Sequence, residues 1–166
     1  MNQSQLLLLI IQSITPVLEA NSYEVSKIPQ APGKWSKIQI VGHLVDSAIN
    51  NIGRIIHAQQ TDDFMIEGYA QEFWVEAQNY ANADWKHTIS LFILLNQQMA
   101  RIIDQISEEV LDLPRNKHNL KPPFYTAMPQ GGVPTLRFWI DDYICHMENH
   151  LCQIIPDYTP KLLRRE

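Results

Sequence analysis

The sequence predicts an all-α protein, a four-helix bundle whose helices are joined by two long connections. Four long segments repeat apolar residues at helical spacing, and no segment alternates apolar and polar residues as a half-buried strand would. The connections, residues 61–83 and 107–134, are too long for a simple series of helical hairpins. With 166 residues and 45 % hydrophobic content, the chain is expected to form a single domain over residues 1–166, with 157–166 as a tail.

Composition excludes several classes of protein. A formal net charge of −5 and a pI near 5.6 argue against a nucleic-acid-binding surface, which needs a basic patch. The apolar run from Leu6 to Ile11 is shorter than the roughly 20 residues that span a bilayer. It also lacks the basic flank and cleavage site of a signal peptide. We therefore expect a cytoplasmic protein that binds neither nucleic acid nor membranes.

The first predicted helix covers residues 3–19 and has the leucine-rich composition of a buried helix. Pro16 should kink it or end its regular part, because proline lacks a backbone donor and clashes with the preceding turn. Residues 21–34 contain Pro29, Pro32 and Gly33 and are predicted to form a loop.

The second helix is predicted to begin at Ser36, where Ser36 and Gln39 match a capping box, and to end near Gln60. His43 falls almost opposite the apolar stripe, on a polar row that is completed by Ser47, Asn50 and Arg54. Periodicity alone favours a solvated row with His43 at the surface. The alternative is that the row lines a wet cleft.

The connection over residues 61–83 is predicted to contain a short helix near 71–78. It is expected to pack over the bundle because it is rich in aromatic residues: Phe64, Tyr69, Phe73, Trp74 and Tyr80. Asp84 can cap a third long helix that ends near Ile106. His87, in its first turn, and His118, in the second connection, are expected at the surface.

The last helix is predicted over Thr135–Ile155, with Thr135 as its cap and Pro156 as its stop. His146 and His150 are four residues apart, so they lie one turn apart on the same face. Two imidazoles in this arrangement can bind one transition-metal ion from one side. The alternative is a pair of ordinary histidines at the boundary of the core.

Other side chains of this helix lie near the histidine pair. Asp142 is one turn before His146 on the same face, and Trp139 and Tyr143 flank it. Glu148 is two residues past His146, roughly 200° around the helix, and points away from the imidazoles. The helix therefore lacks the general-base glutamate of the His-Glu-x-x-His zinc proteases.

Two cysteines, Cys145 and Cys152, are seven residues apart on this helix, which separates them by about 10 Å of helical rise. A disulfide needs Cα atoms within roughly 7 Å, so both thiols are expected to be reduced.

Several segments, in this order and at these separations, resemble the DinB-like superfamily of metal-binding four-helix bundles. The segments are Lys34-Trp35-Ser36, the stretch VGHLVDS from Val41, the stretch WVEAQNY from Trp74 with Asp84-Trp85 after it, Thr135-Leu136, Asp142-Tyr143, and His146 to Ile154. They extend over most of the chain. One departure is Asn149, where family members often have a histidine before the last ligand.

The resemblance implies a metal site with His43, His146 and His150 as ligands, and it turns His43 from a surface residue into part of a cleft wall. It implies one divalent transition-metal ion, with nickel or zinc favoured, and coordination positions left open for water or substrate. The implied activity is hydrolysis or transfer of a low-molecular-weight thiol. The alternatives are a non-catalytic metal- or ligand-binding dimer and a purely structural bundle.

The remaining predictions concern the surroundings of the site. Asp142 is expected to orient a metal-bound imidazole, or else to be a surface carboxylate. Asn50 and Arg54 can contact a polar or anionic substrate, or remain solvated. Trp139 and Tyr143 are candidate pocket residues, and no catalytic acid or base stands out. Homodimerisation is implied by the resemblance, with modest support from the apolar first helix.

Overall fold

The computed structural model describes residues 1–162, and in that part of the chain the only regular elements are helices, which confirms the predicted fold class. The described residues form seven α-helices, which are α1 (Gln3–Glu19), α2 (Tyr23–Ser26), α3 (Lys37–His57), α4 (Gln71–Ala77), α5 (Trp85–Asp104), α6 (Glu108–Asp112) and α7 (Leu136–Ile154). A short 3₁₀ helix, Tyr80–Asn82, precedes α5. The end of the predicted tail, residues 163–166, lies outside the described residues.

The four long helices form a bundle in which helices that are consecutive along the chain are not all neighbours. α1 packs against α5 and α7, and α3 packs against the same two helices. α1 and α3 therefore lie on one diagonal of the bundle, and α5 and α7 lie on the other. The predicted connection over residues 61–83 joins the neighbours α3 and α5, whereas the one over residues 107–134 crosses the diagonal from α5 to α7. Within residues 1–162, no helix has both the length and the apolar character that a bilayer crossing requires.

Hydrogen bonds between helix ends give the helix directions. Gln3, at the start of α1, contacts Asp141 at 3.1 Å and Arg137 at 3.0 Å near the start of α7. Asn21, just after α1, accepts from Lys37 Nζ at 3.0 Å and from Trp85 Nε1 at 3.1 Å. Thus α3 and α5 begin where α1 ends, and α3 runs antiparallel to α7. This orientation places the first turns of α3 beside the last turns of α7.

Local sequence signals set the beginnings of these helices, as predicted. A side-chain cap satisfies backbone donors that have no partner inside the helix. The contacts are Gln39 Oε1 with the Ser36 N–H (3.0 Å), Asp84 Oδ1 with the His87 N–H (2.7 Å) and Thr135 Oγ1 with the Phe138 N–H (3.1 Å). Each capped helix begins at the residue after its cap.

The predicted bounds of the first helix are confirmed, and the predicted end of the second is wrong. α1 covers Gln3–Glu19 with Pro16 inside it, and the Pro16 carbonyl still accepts from the Ala20 N–H at 3.1 Å. The missing proline donor affects only the preceding turn, so one last turn can follow it. α3 ends at His57 instead of Gln60, because the Gln60 N–H bonds only three residues back, to the His57 carbonyl at 3.0 Å.

One core absorbs most of the apolar surface of α1. The buried apolar residues of this helix are Leu6, Leu7, Ile10, Ile11, Ile14 and Leu18. Leu9 and Val17 remain 42 % and 41 % exposed. The exposed apolar surface of α1 is therefore small, consisting mainly of these two side chains and the half-buried Leu8, and homodimerisation stays a prediction.

The aromatic connection packs over the bundle at two points, Phe64 and Tyr80, which are buried, whereas Phe73 is exposed. The Tyr80 ring lies directly against Gly42 of α3, so close that a Cβ at that glycine would lie 2.3 Å from a ring carbon. The Tyr80 hydroxyl donates to Asp46 Oδ1 at 2.9 Å, in the next turn of α3. A glycine at position 42 is therefore required for the ring to reach its carboxylate.

A Gly42→Ala variant is expected to lower the free energy of unfolding by about 1–3 kcal/mol, because the added methyl group overlaps the Tyr80 ring. Gly53→Ala on the same helix is the matched control, since nothing lies within 4 Å of its Cβ position. It should stabilise the protein by about 0.5–1 kcal/mol through helix propensity. Urea denaturation of the two variants measures the difference. Equal effects would contradict the close packing of Tyr80.

Candidate metal centre

The antiparallel pair α3 and α7 brings the three predicted ligands together. His43 of α3 meets His146 and His150 of α7, and one ligand nitrogen from each lies within 4.8 Å of the others. The closest pair is His43 Nε2 and His146 Nε2, at 3.2 Å. The ring centroids are 4.7–5.3 Å apart. The grouping is observed, while metal binding by it remains a prediction.

The spacing of the nitrogens suits a shared cation. Two nitrogens that each lie about 2.0–2.1 Å from one tetrahedral zinc ion are about 3.3 Å apart, close to the 3.2 Å between the Nε2 atoms of His43 and His146. Without a cation, one of these two nitrogens has to donate a proton to the other. A bound ion would accept the lone pairs of both.

Burial keeps the imidazoles neutral, which is the form that binds metals. Burial, with a smaller effect of nearby His150, lowers the pKa of His43 to about 4. The pKa of His146 is held well below its usual value by burial and by the two neighbouring imidazoles. Burial also lowers the pKa of His150. At neutral pH all three side chains therefore offer lone pairs and carry no charge that would repel a cation.

His43 is 1 % exposed, so the expectation from periodicity alone that it lies at the surface is wrong. Its polar row faces α7, which covers this side of α3. Ser47, on the same row, is also buried. Helical periodicity identified the row correctly, but it carries no information about which helix packs against it.

Aromatic rings and one amide hold the imidazoles in place. Trp35 lies against His43 with a centroid distance of 5.2 Å, and Tyr125 lies 4.9 Å from His146. Gln153 Oε1 is 3.3 Å from His150 Nδ1. His43 Nδ1 is buried without a hydrogen-bond partner. The opposite nitrogen of His43, Nε2, faces His146.

Asp142 holds the loop that carries Tyr125 against the site. Its Oδ1 accepts from the backbone N–H groups of Tyr125 at 2.5 Å and Thr126 at 3.0 Å. Burial raises the pKa of the carboxyl, and these two amides oppose that shift. The observed hydrogen bonds therefore go to the loop instead of the imidazole expected from the sequence. They fix the backbone of Tyr125, whose ring contacts His146.

Glu148 also faces away from the imidazoles, in agreement with the helical geometry. It is 1 % exposed and accepts from the Tyr158 hydroxyl at 2.7 Å and from the N–H groups of Lys161 at 2.6 Å and Leu162 at 2.9 Å. This carboxylate ties the segment after α7 to the helix. The first part of the predicted tail is thus anchored by a buried acid.

A cavity of about 210 Å³ opens beside the ligands, and we call it the histidine cavity. Its lining residues are His43, Ser47, Asn51, Arg54, Tyr69, Gln71, Tyr125, Trp139, Asp142, Tyr143 and His146. The predicted pocket residues Arg54, Trp139 and Tyr143 thus share one wall with two of the ligands. Asn50 lines instead a neighbouring cavity of about 540 Å³, to which Arg54 also contributes.

Two asparagines that the sequence analysis did not single out form hydrogen bonds with Trp139 and Tyr143 in the wall of the histidine cavity. Trp139 Nε1 donates to Asn51 Oδ1 at 2.8 Å, and the Tyr143 hydroxyl donates to Asn96 Oδ1 at 2.6 Å. Asn96 is fully buried in α5. An asparagine among the apolar positions of a helix is the available sequence signal, because a buried amide needs partners. Tyr125 carried no such signal, since it lies in an irregular connection.

The other histidines and the cysteines lie away from the ligands. His87 is exposed as predicted, whereas His118 is half-buried, with Nδ1 enclosed. The surface prediction for His118 is wrong because its segment pairs with the chain at Phe64. Both cysteines are reduced, as expected, with Cys145 buried and Cys152 exposed.

Comparison with known proteins supports the fold. No family model and no curated protein matches the sequence. Among solved structures, the chain is similar to YfiT from Bacillus subtilis, described as a probable metal-dependent hydrolase with an unusual four-helix bundle topology. The TM-score is 0.74 at 18 % identity, and the match covers 92 % of this chain and 81 % of YfiT. The fold implied by the DinB-like resemblance is therefore confirmed, and the three-histidine group fits that resemblance.

The metal-free protein is expected to lose stability as the pH falls from 7.5 to 5.5. The folded pKa of His43, about 4, lies below the ordinary value of 6.5. The unfolded chain therefore binds the proton first, and the free energy of unfolding decreases as the pH falls towards the folded pKa. His43 alone should account for about 1 kcal/mol of this decrease.

Urea denaturation at several pH values tests this expectation, with His43→Leu as the comparison. The variant should show a shallower pH dependence in the same window. The ordinary pKa of an aspartate lies below this pH window. Burial raises the pKa of Asp46 and Asp142, and their protonation as the pH falls would stabilise the folded protein, which is opposite to the effect of His43. Identical slopes for the two proteins would mean that His43 is not held neutral by burial.

Proposed function

We propose that this protein is a metal-dependent enzyme in which His43, His146 and His150 hold one divalent transition-metal ion, nickel or zinc. The reaction is hydrolysis or the transfer of a low-molecular-weight thiol to an electrophile. The observation that carries the proposal is the meeting of three neutral imidazoles, one buried and two half-buried, beside a cavity that two of them line. Structural zinc sites are closed by four protein ligands, whereas catalytic sites keep a position open.

The chain's own residues would position the reactants. When bound, such an ion lowers the pKa of a bound water or thiol and so supplies a nucleophile at neutral pH. The three imidazoles come from two helices, so the ligand set depends on their packing and not on a mobile loop. The Tyr125 loop, fixed by Asp142, and the Trp35 ring pack against His146 and His43 and so hold their imidazoles in position.

Hydrolysis is supported by the description of YfiT as a probable metal-dependent hydrolase. Thiol transfer is supported by the DinB-like resemblance of the sequence segments. Both reactions need the same open metal position and differ in whether water or a thiol occupies it. Nickel and zinc both suit nitrogen ligands, and the donor set does not select between them.

The second candidate is a non-catalytic metal- or ligand-binding protein that acts as a homodimer. It is favoured by the absence of a free general base among the described residues that line the histidine cavity. Asp142 is engaged with two backbone amides, and burial raises the pKa of Tyr69 to about 12. An enzyme with this site would depend on the metal for its nucleophile.

The metal-loaded protein is expected to turn over simple esters, amides or thiol–electrophile pairs, and His43→Ala should reduce the rate by at least about 100-fold. His87→Ala is the matched control, because this histidine is exposed and lies in the first turn of α5. It should retain the wild-type rate. Rates are compared at equal metal occupancy of the wild type and the control.

Two results would count against catalysis at the histidine site. The first is the absence of turnover in wild-type protein that carries a full equivalent of nickel or zinc, which favours the binding protein. The second is turnover that survives in His43→Ala while circular dichroism shows a folded protein, which means that the activity arises elsewhere.

A further inference from the structure

Arg54 places a cation at the wall of the histidine cavity, and within residues 1–162 it forms no ion pair. Its side chain is half-buried and lines the same cavity as His43 and His146. The ion pairs found within residues 1–162 involve Lys117 and Arg137, so none includes Arg54. Burial lowers the pKa of the guanidinium, which nevertheless remains charged, because arginine stays protonated in proteins.

Two aromatic faces and one carbonyl hold the guanidinium in position. The charged carbon lies 5.9 Å from the Tyr69 ring centroid and 5.8 Å from the Trp139 ring centroid. One terminal nitrogen donates to the Glu67 carbonyl at 2.5 Å. A stacked guanidinium loses little freedom when it binds an anion, so its orientation is set before the ligand arrives.

Among the groups that line the cavity, the Arg54 guanidinium is the one that can recognise an anion. The imidazoles are neutral, and Asp142 is the lining carboxylate, with Oδ1 already bonded to two amides. Ser47, Asn51 and Tyr69 add uncharged polar groups to the wall. The anionic end of a ligand therefore meets the positive charge of Arg54, at a distance from the histidines where its reactive group would lie. A volume of about 210 Å³ suits a small molecule.

We propose that Arg54 binds the carboxylate of a small, singly charged substrate whose reactive group lies at the histidines. The inference rests on the proposed function, because it assigns a substrate class to that site. Arg54 is a specificity-determining residue, since it contacts the end of the substrate that does not react. Its planar donors match a carboxylate, which can accept two parallel hydrogen bonds.

Short thiols provide the probe, with cobalt(II) in place of the native ion. Mercaptoacetate, 3-mercaptopropionate and 4-mercaptobutyrate are each compared with the corresponding amide, and thiolate binding is followed by its charge-transfer absorption on cobalt. In wild-type protein the acid of at least one length should bind about tenfold tighter than its amide, as expected for a charge-assisted hydrogen bond. Three lengths are used so that one can span the two ends of the site.

The variants separate recognition by Arg54 from other causes. Arg54→Gln should abolish the preference for the acid, and Arg54→Lys should keep part of it, because the charge remains without the planar donors. Arg101→Gln is the matched control, because Arg101 is exposed on α5 and contacts Gln98. It should behave as wild type. Comparing acid-to-amide ratios between proteins cancels the intrinsic difference between the two thiols.

The inference is overturned if the acid-to-amide ratio is the same in wild type and Arg54→Gln at every length. Failure to bind cobalt is a different result, which counts against the metal site itself. In that case butyrate and butyramide are titrated into the metal-free protein while the Arg54 side-chain N–H is followed by NMR. Equal responses to the two probes would then overturn the anion site as well.

Discussion

The antiparallel contact between α3 and α7 encloses three imidazoles, and the rest of the site depends on keeping them uncharged. A buried protonated imidazole without a counter-charge is costly, and here each of the three would also repel its neighbours. The lowered pKa values of His43 and His146 record this cost. The same constraint makes the cluster suitable for a metal ion, since neutral nitrogens 3.2 Å apart gain a common partner when a cation binds.

Three buried carboxylates on these two helices hold the irregular parts of the chain around the cluster. Asp46 of α3 accepts from Tyr80 and Gln78 and fixes the first connection, while Asp142 of α7 fixes the loop that carries Tyr125. Glu148 fixes the segment after α7 through Tyr158 and two backbone amides. Loops normally lie on the surface and move more than the elements they connect. Here each of these segments is tied to a helix that carries a ligand, and two of them contribute Tyr69 and Tyr125 to the cavity wall.

The elements were largely predictable from the sequence, whereas contacts between distant segments were not. The spacing of apolar residues and the capping residues predicted the ends of α1, α5 and α7 to within two residues, because both signals are local in the sequence. Periodicity alone placed His43 at the surface, since it cannot reveal that α7 covers that face. The resemblance of short segments corrected this, because it carries information about three-dimensional arrangement. The partner of Asp142, the Tyr125 loop, is 16–17 residues away in an irregular segment with no repeating pattern. The sequence identified Arg54 as a polar residue on the row of His43, but its cation–π contacts with Tyr69 and Trp139 could be seen only in the structure.

The most direct test of the central claim is elemental analysis of the untagged protein beside a His146→Ala/His150→Ala variant. A polyhistidine tag must be absent because it would bind the same ions. About one equivalent of a transition metal in the wild type, lost in the variant, is the predicted result. No bound metal in the wild type after loading with nickel or zinc would contradict the claim. The three imidazoles would then be neutral core histidines, and the proposed enzyme would lose its source of chemistry.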